Sequence, residues 1–139
     1  MWKKKPWPRR SLVSVCVTQG IKISVVPNYS VEHSEPERSK FVFAYQITIK
    51  NEGDAPAQLL TRHWLIKDAF QNTEEVRGEG VVGEMPILEP GEAFTYSSWC
   101  PLRTEYGVMR GTYGMVRPDG EAFEAVIAPF ALMTPSLLN

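Results

Sequence analysis

From residue 41 to residue 50 the chain alternates. Phe41, Phe43, Tyr45, Ile47 and Ile49 share one parity, and Val42, Ala44, Gln46, Thr48 and Lys50 the other, growing more polar along the run. A period of two over ten residues predicts a β-strand with one face buried throughout. Asn51-Glu52-Gly53-Asp54 follows, a cluster of turn formers that ends it. Val13, Val15 and Val17, then Ile21, Ile23 and Val25, predict another extended region over about 12–26, with Gly20 marking a bulge or bend. Residues 27–40 read as a polar connection. Further strand signals cover 57–70, 75–77, 93–99 and 108–116. Arg117-Pro118-Asp119-Gly120 is a tight turn, since proline presets φ and glycine accepts a positive one. Phe123, Ala125 and Ile127 then alternate on a return strand, and residues 88–92 make another turn. No window of ten residues has a helical period. About seven strands separated by turn signals predict an all-β fold, an antiparallel β-sandwich over residues 11–139.

Length and charge refine this reading. At 139 residues the chain has room for one domain. The net charge is −1, which gives no nucleic-acid signal. Residues 1–10, however, hold five cations and no acid, so the remainder carries −6. This tail also holds Trp2, Pro6, Trp7 and Pro8, and two prolines in three positions forbid a helix. A sticky arm for RNA or an anionic membrane is one reading of it; the expectation here is a disordered terminus. The apolar run from Leu12 to Val17 is too short for a signal-peptide core, and no stretch nears the roughly 20 apolar residues of a membrane span. The expectation is a cytoplasmic protein, not embedded in a membrane. Cys16 and Cys100 flank Trp64 in an order that echoes immunoglobulin domains, but at a longer separation. In a reducing cytosol two free thiols are expected.

Gly78-Glu79-Gly80-Val81-Val82-Gly83 carries the GxGxxG spacing of a phosphate loop. In a dinucleotide fold those glycines end a strand and open a helix whose N-terminus meets the phosphate. Here Glu84-Met85-Pro86 and another turn follow, so no helix can begin; Glu84 also stands where a Walker loop needs lysine. Between Gln71 and Glu92 lie six glutamates and the single base Arg77, a local charge of −5. The glycines are therefore expected to bend a hairpin. The alternative is a nucleotide, pyrophosphate or other polyphosphate held by Gly78, Gly80, Val81, Val82 and Gly83 with Arg62 and Arg77, and Mg²⁺ offsetting the acids. The glutamates lack the spacing of a calcium loop, and no metal or cofactor is expected.

Catalytic groups are sparse. His33 has no partner in the pattern, and His63 sits beside Trp64 on a strand, where packing is its expected role. No zinc spacing, nucleophile elbow or Ser-x-x-Lys pair occurs. No catalytic residue is assigned and no enzyme is expected. Tyr96, Trp99, Tyr106 and Tyr113 cluster late in the chain, and such residues anchor interfaces as often as they fill cores. A sandwich offers exposed edge strands to a protein partner or to a second copy of itself.

These residues resemble the bacterial ApaG family over roughly 11–139. The resemblance is carried by Phe41-Val42-Phe43-Ala44-Tyr45, Gln58-Leu59-Leu60-x-Arg62-x-Trp64-Leu65-Ile66 and Gly78-Glu79-Gly80-Val81-Val82-Gly83-x-x-Pro86. Pro90-Gly91-Glu92, Gly111-x-Tyr113-x-Met115 and Phe130-x-Leu132-x-x-Pro135-x-Leu137 complete it. It implies a fibronectin-type-III-like sandwich, a link to cobalt resistance and magnesium efflux, and action through protein contacts, as in the similar domain of F-box proteins. The family's glycine loop has been proposed to bind nucleotide or pyrophosphate, and bacterial relatives are often encoded near enzymes of dinucleoside polyphosphate metabolism.

Overall fold

The computed structural model describes residues 12–138; the basic tail expected at 1–10 lies outside them. The alternating segments become strands: β1 (Ser14–Thr18), β2 (Ile21–Tyr29), β3 (Phe41–Asn51), β4 (Ala57–Asp68), β5 (Thr73–Glu79), β6 (Ile87–Leu88), β7 (Ala93–Leu102), β8 (Tyr106–Val116) and β9 (Ala122–Met133). Pro36–Arg38 and Pro135–Leu137 each form a single 3-10 turn. One sheet has the order β1-β2-β3-β7; the other runs β5-β4-β8-β9, with β6 beside β4. All pairings are antiparallel.

The expected sandwich is therefore present, with nine strands where about seven were predicted. The extended region over 12–26 is not one strand with a bulge. Gln19 and Gly20 both adopt positive φ, 48° and 81°, and turn β1 back on β2 as a two-residue hairpin. β2 also continues to Tyr29, into the predicted polar connection. Pro27 is tolerated because it lies beyond the end of β1, where β2 has only β3 as a neighbour. The two-residue β6 carries no periodic signal at all.

The core is the meeting of the two inner faces. Ile21, Ile23 and Val25 face it from β2, and Phe43, Tyr45, Ile47 and Ile49 from β3. Leu59 and Trp64 of β4, Met109, Tyr113 and Met115 of β8, and Ala125, Ile127, Phe130 and Leu132 of β9 complete it. Each large apolar side chain fully buried contributes roughly 1.5–3 kcal/mol. Two bulges change which parity points inward. Leu59 pairs with Met115 but Thr61 with Gly114, so Leu60 is an extra residue on β4. Met109 pairs with Phe130 but Gly111 with Ile127, so β9 has the extra residue, next to Pro129, which needs no ladder hydrogen bond there. Arg117 ties the loops at one end, donating to the carbonyls of Gln19, Ala55 and Pro56 at 2.6, 2.9 and 3.3 Å. Along one side β1 and β2 pack on β9; no comparable contact joins β5 to β7 on the other, and the sandwich stands open there.

Candidate functional site

The Leu60 bulge decides what faces that opening. Before it Ala57 and Leu59 point inward; after it Arg62, Trp64 and Ile66 do. β5 lies alongside in the register Arg62 to Gly78, Trp64 to Val76 and Ile66 to Glu74. With Tyr45 of β3, Tyr96, Ser98 and Cys100 of β7, Met109 of β8 and the turn residues Val81 and Val82, these line a cleft of about 420 Å³. That volume falls within the usual range of ligand sites. Its floor is buried: Tyr45, Trp64, Val81, Cys100 and Met109 are each at most 6% exposed. The Tyr45 and Trp64 rings meet edge to face at 5.6 Å, and the Tyr96 and Tyr113 hydroxyls are hydrogen-bonded to each other.

Arg62 is the cation of this cleft. Its Nη1 donates to the carbonyls of Glu79 and Gly80, both at 2.9 Å. Its guanidinium lies against Gly78, where a Cβ would stand 2.6 Å from Cζ and from Nη2. Glycine at 78 is thus a requirement of space. Arg62 forms no ion pair among the described residues, and its Nε and Nη2 make no hydrogen bond there. These donors are left for a ligand or for water.

The predicted glycine loop is a turn. Gly80 N donates to Leu60 O at 2.8 Å, while Val81 and Glu84 exchange both backbone hydrogen bonds at 2.8 and 2.9 Å. Between them Val82 and Gly83 hold φ of 43° and 81°, a two-residue hairpin. No helix begins there; the chain passes to β6. Gly80 has φ 63° and its missing Cβ would collide with the carbonyl of Glu84. Three loop amides are therefore engaged by backbone oxygens. Val81 is buried, and Val82 stands exposed at the cleft mouth. Arg62 and Arg77 are not brought together. Arg77 pairs across from His63, on the outer face, and its Nη2 donates to Glu75 Oε2 at 3.0 Å.

The outer face also takes His63, whose Nε2 lies 2.6 Å from the same oxygen. The His63 hydrogen bond first, then the Arg77 charge, holds the Glu75 carboxyl below the ordinary range. His33, expected to lack a partner, bonds Ser30 Oγ at 2.8 Å and meets the Trp99 ring edge-on at 4.9 Å. Of the late aromatics, Tyr96 and Tyr113 point inward, whereas Trp99 and Tyr106 are exposed. Among the described residues no three His, Cys, Asp or Glu side chains converge as a metal site. Both thiols are free. Burial, then the Glu74 charge, pushes the Cys100 thiol up to about 12, and burial raises Tyr45, Tyr96 and Tyr113 as well. At neutral pH these groups are protonated. The cleft presents hydrogen-bond donors, one cation and aromatic walls: equipment for holding a ligand. Sequence reasoning grouped Arg62 with Gly78, Gly80, Val81 and Val82, which do adjoin it, but not with the walls supplied by β3, β7 and β8. The shared parity of Tyr96, Ser98 and Cys100 was the available signal, and nothing local says that β7 borders an opening.

Comparison with known proteins gives one consistent result. The model of the ApaG domain matches residues 31–117. A Protein ApaG from Anaeromyxobacter dehalogenans (strain 2CP-C) is 54% identical over 127 residues, 91% of this chain and 100% of the relative. Protein ApaG of Dechloromonas aromatica (strain RCB) is 50% identical over 86% of this chain and 94% of its own length. Among solved structures, a Bordetella pertussis protein named ApaA superposes with a TM-score of 0.81 at 50% identity, covering 83% of this chain and 94% of that one.

Proposed function

The chain belongs to the ApaG family, and on that premise we propose that it is a non-enzymatic binding module whose recognition site is the cleft between β5 and β7. The carrying observation is Arg62: a cation set on a glycine, anchored by two carbonyls and left with unpaired donors in an aromatic recess. The ionisable groups of the cleft favour binding over catalysis. Its thiol and phenols are protonated near neutrality, and the histidine–carboxylate pair is on the far face of β4 and β5. The link to Co²⁺ resistance and Mg²⁺ efflux that the resemblance implies is then exerted through a protein partner. Among the described residues no helix is long and apolar enough to cross a membrane.

Affinity capture from the native cytosol tests this, with wild type, a Ser98→Trp variant that fills the cleft, and a His63→Ala variant on the outer face as baits. A partner retained by wild type and His63→Ala but lost by Ser98→Trp is expected. Nucleotide hydrolysis by the purified protein, abolished by one polar substitution, would overturn the reading. The polyphosphate alternative draws on Arg62 and on the amides of Val82 and Gly83, which donate to no backbone oxygen in the turn. It predicts Mg²⁺-dependent heat on titration with inorganic pyrophosphate; no heat with or without the metal removes it.

A further inference from the structure

The recess around Arg62 is graded along its length. Arg62, Trp64 and Ile66 occupy successive inward positions of β4, and Gly78, Val76 and Glu74 face them on β5. A cation therefore stands at one end, an aromatic and apolar surface in the middle and a carboxylate at the other. Four residues of strand separate the charged ends, roughly 13 Å. Because Nη1 is held by Glu79 and Gly80, the edge that Arg62 has left is Nε–Nη2, which can take a carboxylate by two parallel hydrogen bonds.

Charge narrows the ligand. Glu74 lines the cleft at the end away from Arg62. One anionic group on Arg62 is matched; a second, further along the cleft, would meet Glu74. A polyanion is therefore a poor fit. An extended peptide has the right repeat, since its residues i, i+2 and i+4 face one way and span the same roughly 13 Å.

Resting on the binding role proposed above, we infer that the cleft receives an extended segment of a partner protein with the pattern acidic-x-apolar-x-basic. The acidic side chain pairs with Arg62, the apolar one covers Trp64 and Val76, and the basic one meets Glu74. Both ends supply charge complementarity, so the chain direction of the segment is fixed.

Selection of phage-displayed random peptides on the full-length protein tests this. The expected consensus is an acid and a base four positions apart around an apolar residue. Arg62→Glu should lower the affinity of a selected peptide at least tenfold. Glu74 is exposed, so Glu74→Lys leaves the fold intact, and selection on it should replace the basic end of the consensus by an acid. That arm decides the matter even if Arg62→Glu does not fold. Peptides blocked by Ser98→Trp but free of any charge preference overturn this pattern while leaving the cleft as a binding site. Failure to enrich any peptide sensitive to Ser98→Trp overturns both.

Discussion

Arg62 and Gly78 act as one unit, because the guanidinium lies where a β-carbon would be. Gly78→Ala should swing Arg62 out of place and remove its two carbonyl hydrogen bonds. The expected cost is about 1–2 kcal/mol by urea denaturation, allowing for partial exposure, together with weaker binding in the cleft. An unchanged midpoint would mean that Arg62 does not need that glycine. Val82 offers the opposite test. A β-branched residue at φ 43° is held against its preference, at a hairpin position that favours asparagine. Val82→Asn should raise stability by about 1 kcal/mol; a loss would show that the exposed side chain contributes more by packing than its backbone costs. Neither effect is visible in residue types alone. GxGxxG was recognisable as a motif, and the charge around it argued against a phosphate cradle. Yet the reason for Gly78 lies sixteen positions upstream, at a partner that only strand register supplies.

Strands were the most legible feature, since period-two alternation follows directly from the pleat. β3 and β9 showed it where their inward residues kept a single parity. Legibility failed where parity changed. Leu60 in β4 reads as one more apolar residue, yet it is the bulge that turns Arg62 inward. β5 reads weakly for a different reason: it is an edge strand with mostly exposed side chains, hydrogen-bonded only to β4. Such a strand opens at low free energy. Its amides should exchange with deuterium well before those of β3 and β8, each flanked on both sides. A peptide seated in the cleft should slow β5 in particular. Equal protection across the three strands would contradict the view of β5 as the movable wall of the site.

On the scale of the whole molecule, the sandwich closes along β1, β2 and β9 and stays open between β5 and β7. This places the two cysteines differently. Cys16 is half-buried on the outermost strand of its sheet, and Cys100 faces the cleft from the opposite edge, three strand spacings (roughly 14 Å) across and six residues (roughly 20 Å) further along the strands. That is beyond disulfide reach, in keeping with free thiols. Iodoacetamide at pH 8 should therefore label Cys16 before Cys100, whose thiol burial keeps protonated, as followed by mass spectrometry of the peptides. Faster labelling of Cys100 would indicate a cleft that opens widely in solution. The sequence by itself determined that this is an antiparallel sandwich of the ApaG family and that its glycine loop turns the chain, because alternation, turn formers and local charge act over a few neighbouring residues. Only the tertiary structure decided that Arg62 shares a recess with Tyr45, Trp64 and Tyr96 while Arg77 faces away. That outcome depends on one bulge and on which pair of sheet edges diverges, and both are settled by pairing between segments far apart in the chain.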